Sequence, residues 1–392
     1  MTCISPSLAE APFRICTRCI YDERVPSISF DEAGVCNYCH QVDRMVEEYG
    51  TGEPRGEARF MATVEEIRRR GKGKRYDCVI GVSGGTDSSY MLYLAKQWGL
   101  RPLAVHYDNT WNSAIATQNI HKVLRALDID LYTWVVDNKE IDDIYRAFFL
   151  AGVPDIEAST DLALAETMYR AAAKFGISYV LDGHSFLAEG IAPSGKNYFD
   201  GKYISSIHRR FGTRPMRTYP LMTFARFMKS ALVSRIHRIR PFWYLGYSKE
   251  QAREFLEREY GWEYYGGHHL ENRMTAFYHG IYLPEKFNYD ARNLTLAALA
   301  RNGSISREEA WGLYMEPRHI EEDLLGYFCK RLGFSREEYE RIMAAPPRRW
   351  WEYPTYKKRF ERLRPLFAVL AKAELVPMSF YLKYCFPDAE RG

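Results

Sequence analysis

The apolar run Asp77 to Val82 (DCVIGV) stops at Ser83-Gly84-Gly85-Thr86-Asp87-Ser88, and helical periodicity resumes from about Thr86 to Trp98. A buried strand, a turn of small residues and a helix start, in that order, leave few folds open. Such a turn lies where helix N-terminal amides converge, and its glycines let a ligand approach the backbone closely. Ser83, Ser88 and Ser89 add hydroxyl donors, and Asp87 can hold a Mg²⁺ that bridges phosphates. The lysine of the G-x4-G-K-[ST] loop is missing, so this is a phosphate cradle of another kind. The plain alternative is a strand–turn–helix junction built from small residues.

Further runs repeat the pattern. Pro102–Tyr107 (PLAVHY), Leu131–Val136 (LYTWVV) and Ser178–Leu181 read as strands, with helical stretches at Ile115–Leu127 and Thr160–Phe175 between them. Strands alternating with helices at this spacing predict an α/β fold with a doubly wound parallel sheet. After Pro241 strands give way to helical, Tyr- and Arg-rich sequence. At 392 residues the chain has material for two or three domains. The expected division is a cysteine-bearing segment over 1–58, the α/β domain over 59–240, and a mainly helical substrate or partner domain over 241–392. Gly50–Gly56 (GTGEPRG) reads as a linker.

Four of the eight cysteines cluster early: Cys16-Thr-Arg-Cys19, sixteen residues, then Cys36-Asn-Tyr-Cys39. Two C-x2-C knuckles bring four thiolates together in the closed tetrahedral set that structural Zn²⁺ prefers. Gly34 suits the turn before the second knuckle. The same four thiolates can hold an iron–sulfur cluster, so the metal stays open between the two.

S-G-G-x-D-S after a first strand resembles the pyrophosphate loop of the N-type ATP pyrophosphatases. These are PP-loop enzymes of the adenine nucleotide alpha hydrolase-like fold, among them GMP, NAD and asparagine synthetases and tRNA thiolation enzymes. The resemblance implies that Ser83, Gly84, Gly85, Thr86, Ser88 and Ser89 cradle ATP. It also places the end of the second strand (His106, Tyr107, Asp108 and Asn109) at adenosine, where an ordinary strand-to-loop turn is the alternative. Gly183 and Glu189 match the family's glycine followed six positions later by a Mg²⁺-binding acid. His184 is a base, a substrate donor or only a loop histidine.

The cysteine segment before the loop, together with Tyr260–Thr275 (YGWEYYGGHHLENRMT), Phe277–Arg292 (FYHGIYLPEKFNYDAR) and Gly303–Ala310 (GSISREEA), narrows the resemblance. The set is similar to the N-acetyl sugar amidotransferases of surface-polysaccharide (lipopolysaccharide, O-antigen) biosynthesis. Members convert an acetamido group, commonly on a nucleotide-linked sugar, into an acetamidino group. The resemblance then puts His268, His269, Glu271 and Arg273 at the sugar or its phosphates, against a capped helix start with solvated charge. It also relates Arg226 and Lys229 to a phosphate-binding cation, and makes Asp87, Glu189 and His184 the catalytic candidates. The basic run Arg209, Arg210, Arg214 and Arg217 can meet a diphosphate or form a solvated face.

Glutaminases with an N-terminal nucleophile carry cysteine directly after Met1. Here residue 2 is Thr, Cys3 comes one position late, and no G-x-C-x-G elbow is present. A separate glutaminase subunit, with a tunnel-forming partner as the family implies, is therefore expected to supply ammonia. A net charge of +4, from 54 Lys and Arg against 50 Asp and Glu, argues against a large nucleic-acid footprint. No apolar stretch reaches membrane-spanning length and Met1 to Ala11 does not read as a secretory signal, so the expected location is the cytoplasm, off the membrane. Two competing readings remain. One is a tRNA thiolation enzyme, which needs catalytic cysteines where this chain offers only Cys78. The other is a non-catalytic ATP-binding scaffold with a degenerate loop.

Overall fold

The computed structural model describes residues 8, 12–191, 198–267, 270–373 and 375–387. The cysteine knuckles lead into α1 (Asn37–Tyr49), which ends at Gly50 with φ 66°, and α2 (Pro54–Gly71) starts with Pro54 in its first turn. The stretch read as a linker is a packed turn. Its Gly52 amide donates to the Tyr244 carbonyl at 3.0 Å. A Cβ on Gly56 would lie 2.1 Å from the Gly50 carbonyl oxygen. Glycine spacing that suggests flexibility here serves close approach.

The sheet follows: β1 (Cys78–Gly81), β2 (Pro102–Asp108), β3 (Leu131–Val135), β4 (Tyr179–Leu181) and β5 (His237–Ile239). Among the described residues these form one parallel sheet ordered β3-β2-β1-β4-β5. The first four are the apolar runs of the sequence; β5 is a fifth strand that no such run announces. Side chains along β1 alternate between two cores, as strand geometry requires. Cys78 and Ile80 face α2 and α3 (Thr86–Gln97), together with Ile120 and Val123 of α4 (Ala114–Leu127). Val79 faces the other way. The helix α5 (Asn138–Ala151) follows β3, and α6 (Ala158–Lys174) covers Val79, Leu103 and Val180 with Met168 and Ala171. The doubly wound parallel sheet expected from the alternation is present.

Side-chain caps start several helices. Ser113 accepts from the Ala116 amide, Asp137 from Glu140, Asp200 from Tyr203 at α7 (Gly201–Phe211), and Thr223 from Arg226 at α8 (Phe224–Leu232). After β5, Ser248 caps α9 (Lys249–Tyr260), whose Leu256 joins Trp262 in the core beside α3.

The rest is helical: α10 (Arg273–Phe277), a π-helical turn at Tyr278–Tyr282, α11 (Leu283–Phe287), α12 (Arg292–Arg301), α13 (Arg307–Met315), α14 (Leu324–Leu332), α15 (Arg336–Ala344), α16 (Lys357–Arg362), α17 (Arg364–Lys372) and α18 (Met378–Tyr384). Aromatic packing joins these helices to α5 and α7. Phe277 stacks on Phe328 with ring centroids 3.6 Å apart, and Phe149 meets Phe328 at 5.2 Å. Tyr278 and Tyr282 donate their hydroxyls to the carbonyls of Pro154 and Val153 at 2.8 and 2.9 Å. The FYHGIYL motif is thus largely core. Among the described residues no helix is long and apolar enough to cross a membrane.

Candidate functional site

A cavity of about 200 Å³ opens at the carboxyl ends of β1 and β4. This is the position where chain order in the sheet reverses, and where open α/β sheets bind ligands. Ser83, Gly85, Asp87, Ser88, Gly183, His184, Glu189 and Glu271 all line it. The structure thus brings together eight candidate residues from three separate stretches of sequence.

The loop keeps the amides at the start of α3 available. No side chain caps α3, whose N-cap is Gly85 in extended backbone, so the first-turn amides face the cavity side uncapped. Gly84 has φ +86°, and a Cβ there would lie 2.2 Å from the Ala116 carbonyl oxygen. Its own carbonyl accepts from the Trp262 indole at 3.1 Å. Ser88 Oγ donates to the Gly85 carbonyl at 3.2 Å, and the Gly85 amide donates to Ser83 Oγ at 3.3 Å. Thr86 and Ser89 belong to the same turn but are buried.

Sequence reasoning missed the groups that set the cavity's charge. Lys249 Nζ donates to Asp87 Oδ2 at 2.7 Å and lies 3.7 Å from Glu189 Oε1. Burial works against its charge, but Asp87 and Glu189 outweigh that and its pKa is raised. The Tyr247 hydroxyl donates to Asp87 Oδ1. Burial, reinforced by Glu271, pushes the Tyr265 phenol up, so it stays protonated beside the loop. Burial would also raise Asp182, yet Arg238, at 2.6 Å, and Arg240, at 3.3 Å, hold it well below the usual carboxylate range. Lys249 occupies the first turn of α9, outside any motif, and Tyr265 lies in a loop within the Tyr260–Thr275 stretch; the fold brings Lys249 to Asp87 and the Tyr265 hydroxyl beside Gly85.

His184 is neutral. Burial and the nearby Arg240 lower its pKa to about 4. The Trp243 indole donates to its Nδ1 at 3.3 Å, leaving the proton on Nε2, 3.9 Å from Glu189.

The other candidates are placed differently. His106 donates Nδ1–H to the Val82 carbonyl at 2.8 Å and accepts at Nε2 from Asn112 at 3.2 Å. Asn109 is committed to Tyr145, the Trp111 amide and Asn272. Asp108 accepts from the Thr110 amide at 2.7 Å. These residues end β2 and brace its loop. Arg273 pairs with Glu321 at 2.8 Å, and Arg226 pairs with Glu166 at 3.3 Å. Neither lines the cavity, nor does Lys229 in the last turn of α8. His268 and His269 lie outside the described residues.

The second candidate site is the cysteine cluster. Cys16 and Cys39, and Cys19 and Cys36, hold their sulfurs 3.8 Å apart, with Cys36 and Cys39 at 3.6 Å. All four lie within 4.8 Å of one another and are buried. A tetrahedron of sulfurs about 2.3 Å from one ion has edges of about 3.8 Å, so the set fits a single metal ion. Gly34, with φ +78°, sits where a Cβ would lie 2.8 Å from Thr17 Cγ2. Distant residues close the site. Arg301 of α12 donates Nε–H to Cys39 Sγ at 3.2 Å and reaches Cys19 Sγ at 3.6 Å, while Arg307 donates to the Cys16 carbonyl at 2.8 Å. Ala297, Ala310 and Trp311 complete its apolar surround. Elsewhere Cys78 is fully buried, and that burial raises its thiol pKa.

Residues 271–364 match the family model described as LPS biosynthesis protein WbpG-like, C-terminal domain. Residues 271–364 are thus similar to that family's C-terminal domain. The match supports the resemblance to the N-acetyl sugar amidotransferases and begins at Glu271, on the cavity wall. Over 124 residues the chain is 30% identical to an uncharacterized protein of Methanocaldococcus jannaschii, covering 31% of this chain and 43% of that one. It thus spans less than half of that relative's length. Two solved structures are similar at 13% identity: a predicted subunit of tRNA methyltransferase from the same organism, at a TM-score of 0.27 over 45% of this chain and 74% of that one, and NMN synthetase from Francisella tularensis, at 0.29 over 72% and 95%.

Proposed function

We propose that the protein is an ATP-dependent amidotransferase that converts the acetamido group of an N-acetyl sugar, carried on a nucleotide, into an acetamidino group. The observation that carries this reading is the uncapped start of α3 facing a cavity where Asp87, Glu189, Lys249 and Glu271 meet. The WbpG-like C-terminal region supplies the polysaccharide context.

In this reading the amide oxygen attacks the α-phosphorus of ATP, the bond to the β-phosphate oxygen breaks and pyrophosphate leaves. Ammonia adds to the activated carbon through its lone pair, and AMP departs with the original oxygen, leaving an amidinium. An amide oxygen is a poor leaving group, and adenylation makes it a good one. This chain's part is positioning and charge: amides of the α3 start and the serines hold phosphates, and Lys249 offsets negative charge beside them. Asp87 and Glu189 offer the hard oxygen ligands Mg²⁺ takes; bound there, the ion would neutralise phosphate charge. Neutral His184 can donate from Nε2 and does not contribute a cation. In the cysteine cluster, zinc would supply folding energy rather than chemistry. We assign the ammonia to a separate glutaminase: among the described thiols outside the cluster, Cys78 and Cys385 are buried, and burial raises the thiol of the half-buried Cys329.

The test is mass spectrometry of UDP- and CMP-linked acetamido sugars incubated with the protein, ATP, Mg²⁺ and ammonium. The expected product has O replaced by NH, with AMP and pyrophosphate formed alongside. Asp87→Ala should keep the fold and cut the rate by about a hundredfold or more. Turnover with glutamine alone would remove the separate glutaminase.

A further inference from the structure

A second cavity, of about 300 Å³, lies behind the first, and α6 divides the two. Met168 and Leu164 of α6 line the loop cavity, whereas Leu162, Ala165 and Tyr169 line the second. One described side chain with a full charge borders both, and it is Arg238.

The two ends of this second cavity differ in chemistry. One end is walled by rings: Phe224 and Phe227 of α8, Tyr356 and Phe360, and Phe380 of α18. Phe227 and Phe380 have centroids 4.9 Å apart, and Phe360 and Phe380 5.1 Å. The other end carries Arg238 and Arg240. Both guanidiniums pair with the one carboxylate of Asp182, and Asp161 also favours the Arg238 charge. Arg238 Nε is buried and has no hydrogen-bond partner among the described residues. Lys383 adds a cation on the wall. The acid on the lining, Asp200, turns its carboxylate to the Tyr198 hydroxyl and to the Tyr203 and Tyr356 amides, at 2.5, 2.7 and 2.6 Å. A planar ring is favoured at one end and an anion at the other. The size is at the lower bound of ligand pockets, about 300 Å³.

We infer that this cavity binds a nucleoside diphosphate, with the base among Phe224, Phe227, Phe360 and Phe380 and the phosphates at Arg238 and Arg240. Resting on the function proposed above, this is the carrier of the acceptor sugar. The carrier's phosphates at Arg238 would then point the sugar through the junction toward the loop and ATP. The assignment moves acceptor recognition away from Arg273, which Glu321 already holds. It also gives the aromatic, basic stretch after Pro346 a task, because Tyr356 and Phe360 come from it.

Binding without ATP tests the site apart from the reaction. UDP, CDP, GDP and dTDP are titrated calorimetrically into the full chain, the Ser379→Trp variant and the Arg238→Gln variant. Ser379 is exposed at the rim, so its indole fills the cavity with little risk to folding. At least one diphosphate should bind the parent chain, and each variant should weaken it about tenfold or more, as expected when a base loses its stack or a phosphate its arginine. ATP affinity should be unchanged in Ser379→Trp. Failure of all four to bind, equal binding to Ser379→Trp, or displacement of the diphosphate by ATP would each overturn the inference. If amidine forms normally in Ser379→Trp, the site is wrong while the reaction stands. If the diphosphate binds as expected but no acetamido sugar yields AMP, the site stands and the reaction falls.

Discussion

The cysteine cluster and the loop cavity each gather groups that can meet a cation, and the two are finished in opposite ways. At the cysteines all four sulfurs are buried, the spacing matches one ion, and Arg301 covers what remains. At the loop the carboxylates of Asp87 and Glu189 keep an exposed side, the α3 amides are uncapped, and Lys249 stands in as counter-charge. A set of ligands with no open position can hold structure together but cannot admit a substrate. An uncapped helix start beside acids that keep a small exposed face does the reverse.

Removing the metal should produce the largest difference between the regions. Chelation, or Cys39→Ser, is expected to abolish amide protection in 15–49 and in α12–α13, which pack on that segment, because metal free energies in such knuckles reach about 10–16 kcal/mol. Hydrogen exchange read by mass spectrometry should leave β1 and α3 protected. Equal loss of protection in β1 would break the comparison, since the loop would then depend on the knuckle.

The next effect concerns the cover. Arg301→Met keeps apolar bulk and removes the N–H donors to Cys39 and Cys19. Loss of a partner outside the ligand set commonly costs about 10–100-fold in metal affinity. Competition with a chromophoric chelator should show that loss, while ATP affinity at the loop stays unchanged. Unaltered metal affinity would reduce Arg301 to packing.

Part of this arrangement is visible in the sequence. The apolar runs gave β1 to β4, and the C-x2-C spacing gave the cluster, because a buried strand and a tetrahedral ion each impose a local pattern. β5 has no such run. It is a three-residue edge strand, His237–Ile239, and its Arg238 faces the cavities instead of a core. Lys249 reaches Asp87 through α9, and nothing in its neighbours marks it; Tyr265 falls inside the Tyr260–Thr275 stretch, but no spacing within it singles out that ring. Gly50 and Gly56 show the opposite error, a flexible composition used for tight packing. Arg301 lies far along the chain from the thiols it covers, beyond any spacing rule.

The smallest expected effect is at His184. Its pKa is about 4 against an ordinary 6.5, so the unfolded chain binds its proton more readily than the folded one between those values. Its contribution to stability is therefore complete above pH 6.5 and is lost as pH falls toward 4. The imidazole C–H resonances should keep their neutral positions through pH 6, and His184→Asn should flatten the acid side of the stability curve. Titration near 6.5 would show that the open site does not shield its histidine.

The separation of Arg301 from Cys39 has a consequence for how the protein is made. With a sequence separation of 262 and synthesis at about 5–20 residues per second, the ribosome finishes the fourth cysteine about 13–52 seconds before it reaches the arginine. Over that interval the newborn knuckle has four thiols and no arginine over them, and a metal ion bound then would shield them from oxidants. The C-terminal helices arrive only afterwards, to close over the cluster.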